Sequence, residues 1–222
     1  MNTSAVERLR VPGAGVGDGL VEVVVCDVKA LGAKGAEGPQ LRSELQAVLR
    51  ETFCDQSSAW ISEARSLLDS ASSGGRKHAW IVLALLRETV VGAAVVDVNR
   101  SPVMDTEATI RMLATHPAHR RCGFGRLLDG HIHLHARRQG LSRVCVEVSR
   151  ATDQHVWREC FRYEPFSSGA SSGTECHACI FKNTELLVKT TPESATGKAL
   201  EASVRGLYRK LRVSARPSGV GI

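Results

Sequence analysis

Apolar positions along the chain follow two alternating periods. Residues 20–28 (LVEVVVCDV) form a β-rich apolar run and predict a first strand. Residues 41–53 place Leu41, Leu45, Val48, Leu49 and Phe53 on one helical face. A second helical stretch over 57–71 carries Trp60, Ile61, Ala64, Leu67 and Leu68, and stops at Ser-Ser-Gly-Gly. Two apolar runs, 78–86 and 90–98, joined by Arg87-Glu88-Thr89, predict a hairpin. After a turn containing Pro102, residues 107–115 alternate. Ala108, Ile110, Met112 and Ala114 face one way; Glu107, Thr109, Arg111, Leu113 and Thr115 face the other.

The period then returns to helical. Phe124, Leu128, Ile132 and Ala136 recur at four-residue spacing, and Gly140 is the expected stop. Residues 143–149 predict a strand, 152–161 a short helix, 167–174 a loop, and 175–182 with 185–190 a closing hairpin. The order is strand, two helices, three strands, helix, strand, helix, two strands. It describes one α/β (α+β) domain over 20–190 with about seven strands. Residues 1–19 read as a flexible leader. Their glycines precede the first strand, which rules out a dinucleotide fingerprint there. Residues 191–222 read as a basic C-terminal helix and tail. Its stripe of Leu200, Val204, Leu207, Tyr208 and Leu211 opposes Lys198, Arg205, Arg209 and Lys210. That stripe must dock on its own domain, on a partner or on an acidic surface.

Between the alternating strand and the long helix lies Thr115-His-Pro-Ala-His-Arg-Arg-Cys-Gly-Phe-Gly-Arg126. Gly123 and Gly125 remove side chains where backbone N–H groups must approach a ligand. The new helix N-terminus adds unpaired donors and a partial positive charge. Arg120, Arg121 and Arg126 contribute full charges. A strand, a basic glycine turn and a helix in this order form a cradle for a pyrophosphate.

Arg120-Arg121-Cys122-Gly123-Phe124-Gly125 resembles the R/Q-x-x-G-x-G/A signature of GNAT-family acetyltransferases. The resemblance covers roughly residues 20–190 and implies the GNAT acyltransferase fold, a mixed, mostly antiparallel twisted sheet of about seven strands flanked by helices, with acetyl-CoA as co-substrate. By it, Leu113, Ala114 and Thr115 contact the cofactor through the main chain, together with Arg120, Arg121, Cys122, Gly123, Phe124, Gly125 and Arg126. The two helices over 41–71 would border the acceptor groove. The runs LATHPAHRRCGFGRLL and VCVEVSRATDQHVWRECFRYEP are also similar to the acetyltransferase domain of plant PHD-finger regulators. Those domains carry a W-x-x-x-F-G-F-x-P element, which Trp157, Phe161, Tyr163 and Pro165 match; Arg162 replaces its glycine. No array of Cys and His pairs with the spacing of a PHD finger is present.

The reaction so implied is attack of an amine on a thioester carbonyl. The amine must first lose its proton, since a free lysine has a pKa of roughly 10.4. A base takes that proton, and the oxyanion needs a donor. The resemblance assigns the donor to the Leu113 N–H. Glu107 is the candidate base, two residues before the family's position, which Thr109 occupies; Asp105 is a weaker one. Tyr163 is the candidate acid for the leaving thiolate, with solvent as the alternative.

Composition narrows the partners. A net charge of +6 and a pI near 9.1 favour anionic ligands, and CoA is one. The charges form no long basic block, which argues against nucleic acid as a direct ligand. Seven cysteines without a regular framework argue for a reducing compartment, cytoplasmic or nuclear. No apolar run has membrane-span length, and the first residues lack the apolar core of a secretory signal. No metal is expected: His131 and His135 have helical ligand spacing but no third ligand, and Cys176 and Cys179 fall on opposite faces of a predicted strand. Cys122 reads as a small loop residue whose thiol the flanking arginines would activate. His116 and His119 read as turn or surface residues.

The expectation is an N-acetyltransferase, monomeric or homodimeric, acting on a protein lysine or N-terminal amine. Alternatives are a small-molecule amine such as a polyamine or amino sugar as acceptor, and a catalytically weak acyl-CoA-binding module.

Overall fold

The computed structural model describes residues 7–11, 21–27, 37–52, 66, 79–99, 107–141, 143–148, 154–165, 185–190 and 197–211. The predicted helix over 57–71 lies outside them apart from Ser66, as does the predicted strand over 175–182.

Eight strands form one sheet among the described residues: β1 (Glu7–Val11), β2 (Val21–Asp27), β3 (Ala79–Leu86), β4 (Thr89–Asn99), β5 (Glu107–Thr115), β6 (Arg143–Val148), β7 (Glu164–Pro165) and β8 (Glu185–Thr190). Their order is β1-β2-β3-β4-β5-β6-β8-β7. Every neighbouring pair is antiparallel except β5–β6, which is parallel. Such a pair needs a crossover, and α2 (Phe124–Arg138) provides it. Helix α1 (Glu37–Thr52) and helix α3 (Gly197–Arg209) complete the layers.

Both faces of the sheet are covered. Val21, Val23, Trp80, Val82, Ala94 and Val96 share one core with Phe124, Leu127 and Ile132 of α2. Val24, Ile81, Leu83, Ala93 and Val95 share the other with Leu45, Val48 and Leu49 of α1. Burial on both faces explains why β3 reads as an unbroken apolar run rather than an alternation. The β3–β4 turn is tighter than its sequence suggests. Only Arg87 and Glu88 form it, both at positive φ (51° and 69°), a conformation usually given to Gly or Asn.

Three expectations need correction. The segment read as a leader contains β1, whose backbone pairs with β2 from Glu7↔Val25 to Val11↔Val21. Predicted alternation along β5 is present in burial, but its buried residues do not share one face. The register skips Arg111, Val95 facing Met112 and Val96 facing Ile110. This bulge turns the strand over, so Ala108 and Ile110 join the α2 core while Met112 and Ala114 join the α1 core. The short helix over 152–161 is a π turn, Val156–Cys160.

Helix α3 docks on its own domain. A Cβ on Gly130 of α2 would lie 2.8 Å from Leu207 Cδ1, so a larger residue there would displace the leucine side chain from this contact. Val204 and Tyr208 are buried at the contact. Arg138 Nη2 and Glu201 Oε1 pair at 2.6 Å along its rim.

Candidate active site

The ladder pattern along β5 decides which main-chain groups the sheet uses. His116 N–H donates to Val91 O at 2.9 Å. Alternation then makes Ala114 with Ala93 the next hydrogen-bonded pair. Leu113 opposite Ala94, and Thr115 opposite Gly92, are non-hydrogen-bonded pairs, so their N–H and C=O groups point to the β6 edge. On that edge β6 pairs with β5 only from Glu107↔Arg143 to Ile110↔Val146. Beyond it β5 runs to Thr115 and β6 to Val148 without pairing. The two strands part into a V with the Leu113 N–H on its wall. Ala114 differs from its expected role: its main chain belongs to the β4 ladder, and its side chain is buried toward α1.

At the end of β5 the chain turns sharply. Pro117–His119 form one 3-10 turn, capped by His116 Nδ1, which accepts the Ala118 N–H at 3.2 Å. His116 Nε2 meets Glu51 Oε2 at 2.7 Å. Arg120 Nη2 donates to Thr52 O at 3.5 Å, and Thr52 donates its hydroxyl to Thr115 O at 3.3 Å. The end of α1 is thereby strapped to the loop. Nothing in the sequence marks Glu51 or Thr52, because their partners lie more than sixty residues away.

Arg121 (φ 61°) and Gly123 (φ 99°) are both left-handed, and they aim the start of α2 back toward the V. The first helical bond runs from Leu127 N–H to Gly123 O at 3.1 Å. The N–H groups before it emerge at the positive end of the helix dipole. No acidic residue occupies this first turn. Arg121 and Arg126 are exposed, and neither has an ion-pair partner among the described residues. A Cβ on Gly125 would lie 3.3 Å from Phe161 Cζ and 3.8 Å from Leu113 Cδ2. The second glycine thus seats α2 against the V. Phe124 is fully buried beneath the loop, so only its main chain can meet a ligand. Cys122 Sγ donates to Arg120 O at 3.5 Å within the turn.

Phe161 stacks on Trp157 at 4.7 Å between ring centroids, and Trp157 meets Tyr163 edge-on at 5.1 Å. Between Phe161 and Tyr163, Arg162 sits at φ 63°. That left-handed conformation is one that residues other than glycine rarely adopt.

The two proton-moving candidates sit elsewhere. Tyr163 is 2% exposed. Its hydroxyl donates to Asp129 Oδ1 at 2.9 Å and lies 3.2 Å from His133 Nε2. Lys189 Nζ holds the other Asp129 oxygen at 2.8 Å. Burial first, then the Asp129 charge, push the Tyr163 pKa well above its usual value. Its proton is directed at a core carboxylate, which does not suit an acid serving the V. Glu107 lies where β5 and β6 are still paired, six residues before Leu113, on the order of 20 Å along the strand. It meets Arg143 Nε at 3.2 Å and accepts the Cys145 thiol at 3.6 Å.

The helical histidines have core roles. His131 Nε2 bonds Tyr208 Oη at 2.9 Å, and His135 stacks on Trp80 at 4.4 Å between centroids. Burial pushes His131 and His133 down to about 4 each, Arg138 adding to the effect at His131, while at His133 Asp129 opposes it. Cys176 and Cys179 lie outside the described residues.

No helix among the described residues is long and apolar enough to cross a membrane. No curated protein matches the chain. Its fold is similar to that of a putative GNAT-family acetyltransferase from Desulfovibrio desulfuricans, at TM-score 0.53 and 15% identity over 68% of this chain and 93% of that one. An acetyltransferase from Streptococcus agalactiae gives TM-score 0.52 and 16% identity over 76% and 98%. The PaiA N-acetyltransferase of Thermoplasma acidophilum, solved in complex with coenzyme A, gives TM-score 0.50 and 11% identity over 77% and 99%. At such identities the likeness is one of fold. The sequence model of the acetyltransferase (GNAT) family matches residues 45–161, just over half of the chain and all of the V, the loop and α2. The chain belongs to the acetyltransferase (GNAT) family.

Proposed function

We propose that the protein transfers the acetyl group of acetyl-CoA to a primary amine. The observation that carries this reading is the parting of β5 from β6 after Ile110, which turns the Leu113 N–H into an opening beside the left-handed loop. The pyrophosphate binds at the N–H groups opening α2, with Arg121 and Arg126 around it. The pantetheine arm lies in the V against Leu113 and Thr115. The bound coenzyme A in the Thermoplasma relative supports this cofactor.

The neutral amine attacks the thioester carbonyl, forming the C–N bond. Negative charge on the carbonyl oxygen is met by the Leu113 N–H. Collapse breaks the C–S bond and releases CoA thiolate, which takes a proton from water. The proton lost by the amine also passes to water in the V, because Glu107 is held in an ion pair and Tyr163 is bonded to Asp129. The acceptor is a protein lysine or an N-terminal amine, a reading supported by the similarity of the Trp157–Pro165 element to the plant regulators' domain. A second reading, an acyl-CoA-binding module with weak catalysis, is favoured by the engagement of those same two side chains. In either reading the protein works in the cytoplasm or nucleus.

Calorimetry of acetyl-CoA with the wild type and with Gly123→Val tests the cofactor site. The wild type should bind, and the variant should lose at least about tenfold in affinity, since a β-branched residue disfavours φ 99°. Equal affinity would remove the loop from the site.

A further inference from the structure

Helix α3 ends on the phosphate loop. It runs against α2, with Glu201 at Arg138, Tyr208 at His131 and Leu211 at Gly123. The point where a Cβ on Gly123 would stand is 3.3 Å from Leu211 Cδ2 and 3.9 Å from both Leu211 Cα and Lys210 O. The backbone closing α3 is therefore in contact with the glycine that shapes the anion turn. Lys210 and Leu211 are fixed there by N–H bonds to Leu207 O and Tyr208 O, at 3.0 and 3.2 Å.

A helix C-terminus carries partial negative charge. Setting one against an anion site repels the ligand unless cations offset it. The end of α3 supplies two, Arg209 and Lys210, both exposed and neither with a side-chain partner among the described residues. With Arg121 and Arg126 of the loop they amount to four cations without an ion-pair partner among the described residues, more than a pyrophosphate requires. CoA carries a further phosphate on its ribose, beyond the pyrophosphate.

We propose that Lys210, with Arg209, binds the ribose 3′-phosphate of CoA, so that the C-terminal helix selects CoA over ligands lacking that group. The inference rests on the reading of the loop as a CoA site. It explains why α3 is basic at the end that meets the loop. It also gives a part of the chain beyond the resemblance a role in cofactor choice.

Calorimetry with CoA and 3′-dephospho-CoA tests it, on the wild type, Lys210→Ala/Arg209→Ala, Lys210→Arg and Lys198→Ala, the last at the far end of α3. The wild type should prefer CoA by about tenfold or more, the scale of a charge-assisted contact. The double variant should bring the ratio close to one, losing clearly more affinity for CoA than for dephospho-CoA. Lys210→Arg and Lys198→Ala should keep the wild-type ratio. A double variant that retains the ratio, or a wild type without preference, overturns the inference while leaving the CoA site intact. A wild type that binds neither ligand overturns the CoA reading itself.

Discussion

Leu113 and Ala94 stand opposite each other across β4 and β5 as a non-hydrogen-bonded pair, so the Leu113 N–H faces the side that β6 has left. A donor fixed in a sheet and aimed at an opening needs no reorganisation when charge develops beside it. Proline at this position removes the donor without removing a bond of the β4 ladder. Leu113→Pro should lower kcat by about 100-fold or more, while Leu113→Val keeps most of it. A folded proline variant with wild-type kcat would show that the oxyanion is held elsewhere.

Glu107 and Tyr163 should prove structural. Glu107→Gln is expected to leave kcat/KM within about twofold, because Glu107 is held in a partly buried ion pair with Arg143 away from the Leu113 N–H. Tyr163→Phe strips Asp129 of a buried donor and should cost about 1–3 kcal/mol of stability, with kcat per folded molecule nearly unchanged. Loss of the acidic limb of the pH–rate profile in the glutamine variant would restore Glu107 as base.

Arg162 occupies a left-handed conformation at φ 63°, and among the described residues its side chain makes only a long exposed contact, 3.9 Å to Glu159. Arg162→Gly should therefore stabilise the fold, by about 1 kcal/mol. Urea unfolding checks the sign; a destabilised glycine variant would mean that the guanidinium contributes more than the backbone strain removes.

Stability should fall in acid. His131 and His133 are held near 4 in the folded state and return to about 6.5 when unfolded. Between those values the unfolded chain binds more protons, so stability rises with pH through this window and levels off above it. At about pH 5 the loss is on the order of 2 kcal/mol for each histidine. Urea midpoints at about pH 7 and pH 5 measure it, and the difference should shrink in His131→Gln. An unchanged difference would mean that His131 does not carry the effect.

The sequence makes the order of elements and the loop legible because both depend on short-range signals. Period-2 and period-4 spacing identifies β5 and α2, and two glycines among arginines mark the turn. Long-range features are not readable this way. The skipped register at Arg111 reverses which core Met112 and Ala114 enter, and no local pattern announces it. The strap of Glu51 and Thr52 onto His116 and Thr115 depends on contacts across the fold. Tyr163 matched an aromatic element, but its role follows from Asp129 and Lys189, which meet it only in space. The short, polar run 7–11 gave no strand signal of its own; it pairs because β2 presents an edge.

The most direct test is to incubate the protein with acetyl-CoA and a panel of histones, lysine peptides and small amines, following CoA release with a thiol dye. Release above the hydrolysis background, highest with the protein or peptide amines and abolished by Leu113→Pro, is the expected result. Tight binding of acetyl-CoA with no release for any amine would contradict it and leave an acyl-CoA-binding module.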